Sequence, residues 1–239
     1  MALAAFLAGG LVKGTVGIGL PTVAVAILST GMELRTAIAL MAIPAVTTNV
    51  YQASRGGAFL ELLRRHWPLV ASGFVGTWIG STILFAVNQV LLSGVLGVLL
   101  CLYCAWALAR PPMLVRREQE AVLGPLTGLT TGIVTGATGS LTLPLMAYLD
   151  GLRLPKDRFV QFAGILATGL TAPLAANVTA RLVRDGTLGA EALLVLVPSF
   201  AGLWAGQWLR GRLSEKRFRL LVLGVLFLLG LNLARRAFL

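Results

Sequence analysis

Long apolar runs alternate with short polar breaks along the whole chain. Read between charges, the runs cover about 2–31, 36–54, 67–87, 90–109, 122–149, 159–180, 190–209 and 219–234. These are lengths suited to bilayer crossings. The loops between them are short and Arg-rich, with no Ser/Pro-rich linker and no room for a soluble domain. The pattern predicts an all-α polytopic integral membrane protein, because only helices satisfy every backbone group within such a segment.

The runs repeat. Gly10-x-x-x-Gly14-x-x-Gly17 in the first segment recurs as Gly132-x-x-x-Gly136-x-x-Gly139 in the fifth. Gly76-x-Trp78-x-Gly80 in the third recurs as Gly202-x-Trp204-x-Gly206 in the seventh, and Val95-Leu96-Gly97-Val98-Leu99 in the fourth as Val222-Leu223-Gly224-Val225-Leu226 in the eighth. Asn49-Val50 and Asn177-Val178 fall near the ends of segments two and six. Four matches in the same order make a duplication the best account, with residues 1–112 as one repeat and 113–239 as the other.

Segments one and five are too long for one straight crossing. A helix of about 28 residues measures about 42 Å, against about 30 Å of hydrocarbon. Each carries glycines and a proline at or past its middle: Gly14, Gly17, Gly19 and Pro21 in one, Gly136, Gly139 and Pro144 in the other. Such residues cost about 1 kcal/mol (Gly) and about 3 kcal/mol (Pro) in a helix interior. Both segments are therefore expected to break into half-helices of roughly 18–20 Å that meet near the midplane and return to the face they came from.

Composition supports the membrane assignment and charge adds topology. With 57% hydrophobic and 12% charged residues and a mean hydropathy of +0.86, the chain has about half the charge of a soluble domain. That argues against a cytosolic enzyme or a secreted module. The 20 Lys and Arg outnumber 9 Asp and Glu, an excess that would suggest nucleic acid on a soluble protein. Here the basic residues flank apolar runs and read as topology signals, so no nucleic-acid partner is expected. With eight full crossings the two sides hold ten and nine basic residues, which sets no orientation. With segment five re-entrant, one side collects fourteen, among them Arg55, Arg64, Arg65, Arg153, Arg158 and Arg210, and the other keeps Arg35, Arg181, Arg184, Arg235 and Arg236. Fourteen against five satisfies the positive-inside rule. Symmetry extends re-entry to segment one. Three full crossings and one hairpin per half make the halves inverted, a transporter architecture with both termini outside the cytoplasm. The start of the chain has no basic residue before Lys13, so it reads as membrane segment rather than as a cleaved signal peptide.

In such proteins the substrate sits where broken helices meet. A helix N-terminus there offers unpaired N–H groups, and glycine lets a ligand approach them. The breaks are lined by Thr15 and Thr22 on one side and by Thr135, Thr138, Ser140 and Thr142 on the other, with Lys13 as the one cation and no acid. This suits a small anion with several oxygens. The candidate binding residues are Lys13, Gly14, Gly17, Gly19, Thr135, Gly136, Thr138, Gly139 and Ser140. Pro44, Thr47, Thr48, Asn49, Thr171, Pro173 and Asn177 are candidates for lining the same cavity.

Plainer roles compete. Gly-x-x-x-Gly packs helices, the role expected of Gly76, Gly80, Gly202 and Gly206; Asn49 and Asn177 suit interhelical hydrogen bonds. Lys13 could snorkel, and His66, beside Arg64 and Arg65, reads as interfacial. Cys101-x-x-Cys104 lies in an apolar run with no second pair, so it reads as packing; no metal or cofactor is expected. Every Asp and Glu falls in a loop or at a segment end, with no buried proton relay visible. An inside-negative potential of 100 mV drives a monovalent anion outward by about 2.3 kcal/mol, so export needs no coupled ion and uptake does. A non-transporting membrane scaffold and a membrane-embedded enzyme are the alternatives; the second lacks paired acids or a His cluster.

The duplicated four-segment half, opening with Gly-x-x-x-Gly-x-x-Gly-x-Gly and then Pro21, resembles the sulfite exporter TauE/SafE family, also described as the toluene-sulfonate uptake permease group. The resemblance covers nearly the whole chain. Leu20 after Gly19, and Ser140-Leu141 after Gly139, depart from the denser glycine run usual there. It implies transport of sulfite, sulfonates or other sulfur-containing anions across a bacterial inner membrane.

Overall fold

The computed structural model describes residues 1–109, 114–141, 144–184, 191–210, 212 and 215–238. Thr142, expected at the second break, lies outside them. The described residues form α1 (Ala2–Val16), α2 (Leu20–Leu28), α3 (Leu34–Ala53), α4 (Phe59–Ala86), α5 (Gln89–Ala109), α6 (Glu120–Thr138), α7 (Leu145–Gly151), α8 (Lys156–Arg184), α9 (Glu191–Leu194), α10 (Leu196–Arg210) and α11 (Glu215–Phe238), with a 3₁₀ turn at Arg117–Gln119. Among them, three are long and apolar enough to span a membrane: Phe59–Ala86, Gln89–Ala109 and Asp157–Arg181. The chain is an all-helical multi-pass membrane protein.

Both long segments break where the glycines and prolines fall. α1 ends on Gly17 (φ +97°) and α6 on Gly139 (φ +71°), each in the left-handed conformation that stops a helix. Pro21 stands in the first turn of α2, and Pro144 caps α7. Both chains then turn back. The Met1 side chain lies against Gly31, and the Val115 amide donates to the Gly151 carbonyl at 3.0 Å, so each hairpin returns to the level where it started. The arms are unequal, contrary to the expected matched halves. With 15 and 9 residues in α1 and α2, and 19 and 7 in α6 and α7, they measure about 22, 13, 28 and 10 Å. The helix stops only at the αL glycine, and in α6 that glycine comes a full turn later.

Hairpin arms pack on helices from the other half of the chain. α1 lies against α10, α6 against α4, α3 against α8 and α5 against α11. The glycines make the first two pairs possible. A Cβ on Gly10 would come within 2.9 Å of the Leu203 nitrogen, and one on Gly14 within 2.8 Å of the Gly206 Cα. In the other pair, a Cβ on Gly132 would meet the Thr77 nitrogen at 2.7 Å, and one on Gly136 the Gly80 carbonyl carbon at 2.7 Å. Gly76, Gly80, Gly202 and Gly206 supply the facing surfaces, bearing out the packing role expected of them. Cys104 is buried with its Sγ 3.3 Å from the Leu223 carbonyl, at the α5–α11 contact.

His66 faces the protein interior rather than the surface. It sits at a kink in α4 with non-helical angles (φ −114°, ψ 19°), buried to 2% exposure. Its ring packs 4.4 Å from that of Phe162 and edge-on to Tyr148. Neighbouring Arg65 grips Glu120 with both guanidinium arms, at 2.9 and 2.5 Å. The kink, two residues before Pro68, turns His66 under α8 while Arg65 stays outside, a distinction that sequence adjacency hides.

Candidate functional site

The two hairpins cross rather than meet tip to tip, and α3 measures the overlap. Gly17, at the first tip, lies against Gln52 and Val160, whereas Gly139, at the second, lies against Ile38 and Met41. Ile38 and Gln52 are about 21 Å apart along the helix. Between those levels the chains touch: the Ser140 hydroxyl donates to Thr22 Oγ1 at 3.1 Å, and the Thr22 hydroxyl donates to the Leu141 carbonyl at 3.1 Å. The Thr135 hydroxyl donates to the Ser140 carbonyl at 3.2 Å, and Thr138 Oγ1 accepts from the Ser140 amide at 3.4 Å. Thr22, Thr135, Thr138 and Ser140 are all buried. Four of the hydroxylic residues expected at the breaks thus form one connected cluster, whereas Thr15 turns back to the Leu11 and Val12 carbonyls of its own helix.

Gln52 holds the first tip. Its Nε2 donates to the Gly17 carbonyl at 2.5 Å and to the Val160 carbonyl at 2.9 Å. Sequence reasoning passed it over, although a Gln three residues after Asn49 in an apolar segment is a legible signal: the two share a helix face.

Lys13 forms a second node beside the crossing. It occupies the last turn of α1, 2% exposed, and its ammonium donates to Asn49 Oδ1. Asn49 Nδ2 donates to Thr171 Oγ1 at 3.1 Å, and the Thr171 hydroxyl donates to the Ala167 carbonyl at 2.6 Å. This excludes snorkelling: the amine points inward to the α3–α8 contact. The charge also offsets the negative C-terminal pole of α1. The facing pole in the same break is the positive N-terminus of α2, whose first N–H groups lack intrahelical partners.

The remaining candidates divide. Thr47 and Thr48 turn back to the Ile43 and Pro44 carbonyls at 2.9 and 2.7 Å, beside Pro44 inside α3. Pro173 lies inside α8, one turn from Asn177. Asn177 is remote from Lys13; it donates to Ser81 Oγ at 2.8 Å and accepts from Arg181 at 3.1 Å, the interhelical role expected of it. Gly14 and Gly136 turn their Cα atoms to α10 and α4.

A cavity of about 310 Å³ starts at the crossing. Thr15, Gly19, Thr22 and Leu141 line its inner end, and Asp150 and Arg210, at the ends of α7 and α10, line its outer one. Its walls are largely apolar, with Tyr103, Trp106, Phe159 and Leu226 among them. Tyr103 and Trp106 stack with ring centroids 6.5 Å apart. These aromatic and terminal residues carry no sequence signal, since their convergence comes from helices far apart in the chain.

Two helical hairpins thus cross within a multi-pass membrane bundle, with a hydroxyl cluster at the crossing and buried Lys13 beside it. The family profile described as sulfite exporter TauE/SafE matches residues 1–233. The chain belongs to that family, whose members are membrane transporters of sulfite and related anions. No curated protein and no solved structure matches it.

Proposed function

We propose that this chain is a secondary transporter, a permease, for a small oxyanion, with sulfite, a sulfonate or another sulfur-containing anion as the substrate class. The observation that carries the reading is the crossing itself: Thr22, Ser140 and the Leu141 carbonyl join the two broken hairpins at the head of the cavity. Lys13 is held by the Asn49 amide rather than by a carboxylate, so it brings a positive charge to the interior beside the crossing. In a low-dielectric interior that charge favours an anion far more than it would in water. Backbone N–H groups at the start of α2, with Gly17 and Gly19 clearing the approach, are the main ligands. Thr135, Thr138, Gly139 and Ser140 form the opposite wall, and Gly14 and Gly136 set the helix spacing that holds the tips in place.

The same reading makes residues 1–112 and 113–239 inverted repeats in a bacterial inner membrane, with both termini outside the cytoplasm. Its support is the clustering of the helix ends. Arg35 and Arg181 both stack on Phe85, at 5.7 and 4.0 Å, and Arg236 donates to the Thr30 carbonyl at the base of the first hairpin at 2.8 Å. These belong to the group of five basic residues. Arg65 and Arg158, from the group of fourteen, pair with Glu120 and Glu61 by the base of the second hairpin. The cavity then faces the Arg-rich, cytoplasmic side.

Reconstitution of the full chain in liposomes with radiolabelled sulfite, sulfate and an aryl sulfonate tests the transport reading. Saturable flux of at least one is expected, weakened in Lys13→Ala without loss of folding. Absence of flux and binding for all three removes it. A reporter fused to the C-terminus is expected outside the cytoplasm, and a cytoplasmic signal refutes the topology.

A further inference from the structure

Lys13, with its relay through Asn49 and Thr171, forms a charged node beside the crossing that can be altered residue by residue. Among the described residues it is the only buried Lys or Arg. A buried ammonium is normally matched by a carboxylate, because an unpaired charge in an apolar interior is costly. Here the partner is neutral. The direction of the relay is fixed by its far end: the Thr171 hydroxyl spends its hydrogen on the Ala167 carbonyl, so its oxygen is left to accept from Asn49 Nδ2. That turns Asn49 Oδ1 toward Lys13. No acid of the neighbouring helices comes near. α2, α3 and α10 contain none, and Asp157 of α8 precedes Thr171 by fourteen residues, about 21 Å of helix.

We propose that Asn49, oriented by Thr171, is the positioning residue that holds Lys13 without cancelling its charge, so that the preference of the site for anions is decided at position 49. The inference rests on the anion-transport reading above. An amide and a carboxylate have nearly the same shape, and either can accept from Lys13. A packing role therefore tolerates Asn49→Asp, whereas a charge-setting role does not: the carboxylate supplies the counter-charge that the substrate otherwise provides. Thr171→Val removes the acceptor for Nδ2 and frees the amide to rotate away from Lys13.

The test is binding of sulfite, sulfate and benzenesulfonate to the full chain in detergent, by titration calorimetry, with the melting temperature measured alongside. Asn49→Asp is expected to lose at least tenfold in affinity for the anion that wild type binds, with a melting temperature equal to or above wild type. Thr171→Val is expected to lose roughly threefold to tenfold. The exchanged pair Lys13→Asn with Asn49→Lys restores one cation and one amide at the node, and is expected to recover binding to within about tenfold of wild type. Wild-type affinity in Asn49→Asp overturns the inference and leaves the transport reading standing. So does parallel loss of affinity and melting temperature in both Asn49→Asp and Asn49→Leu, which marks a packing role. If Asn49→Asp does not fold, the exchanged pair decides: folded without binding, it overturns the inference. No binding of any probe by wild type overturns the inference together with the transport reading.

Discussion

Ser140 donates a hydrogen bond to Thr22 at 3.1 Å across 118 residues of sequence. The bond ties the two broken hairpins together at the head of the cavity, one partner on the first turn of α2 and the other just past the end of α6. Because the hairpins overlap rather than abut, the cluster lies between their tips. The cluster therefore joins the start of one return arm to the end of the other outgoing arm.

That contact makes Thr22→Val a test of the crossing. The hydroxyl accepts from Ser140 and donates to the Leu141 carbonyl, and a buried hydrogen bond contributes about 1 kcal/mol. The variant is expected to lose about 1–3 kcal/mol of stability, since Leu141 is left without its donor, and roughly tenfold in anion affinity. Thermal unfolding in detergent and calorimetric titration with sulfite read the two effects separately.

The glycine faces predict a contrast between positions of the same residue type. Gly10→Ala and Gly136→Ala each drive a methyl into a neighbouring helix backbone, with the Leu203 nitrogen at 2.9 Å and the Gly80 carbonyl carbon at 2.7 Å. Overpacking of this kind costs about 1–3 kcal/mol or more, so both variants are expected to melt lower and accumulate poorly in membranes. Gly224 has open space where a Cβ would stand. Gly224→Ala is expected to be neutral or to gain up to about 1 kcal/mol from helix propensity.

Neighbouring residues at the α4 kink should differ as well. Arg65→Ala breaks a pair in which the arginine side chain is 39% exposed, and the expected loss is under about 1 kcal/mol. His66→Ala empties a buried site beside Phe162 and Tyr148, and the expected loss is about 2–4 kcal/mol. Equal melting temperatures for the two variants count against the inward orientation of His66.

Access to the cavity can be read chemically. In a background with Cys101 and Cys104 replaced by alanine, single cysteines at Phe159 and Leu226, both lining the cavity, are expected to react with a membrane-impermeant thiol reagent in inside-out vesicles. They should not react in right-side-out ones. Added sulfite is expected to slow the reaction at least twofold. Labelling from the opposite side alone contradicts the proposed orientation.

Much of the fold was legible because the lipid constraint acts locally. Apolar run lengths marked the helices, and Gly17 with Pro21, and Gly139 with Pro144, marked the breaks, since a left-handed glycine and a proline stop a helix whatever surrounds them. The unequal arms were not legible: the glycines mark where a helix ends, but its start in α6 depends on the turn at Arg117–Gln119. At the site, Lys13 and the hydroxyl residues stood out as polar groups in apolar runs. Gln52 carried the same signal and gained a role only when α3 came to lie beside Gly17. His66 changed places altogether, because a kink rather than a regular helix decides which way it faces.

The sequence by itself determined the membrane solvent, the helices, the two breaks and the place of Lys13 as a cation within an apolar run, all of which follow from hydropathy and backbone chemistry within a short stretch of chain. Only the tertiary structure decided that the hairpins cross, that Lys13 is matched by the amide of Asn49 rather than by an acid, and that the cavity runs from Thr22 to Asp150 and Arg210. Those outcomes depend on pairing helices 36 residues apart at Lys13 and Asn49 and more than a hundred apart at Thr22 and Ser140. In lipid that pairing is set by close backbone packing at Gly10, Gly14, Gly132 and Gly136 rather than by a hydrophobic drive that sequence periodicity would reveal.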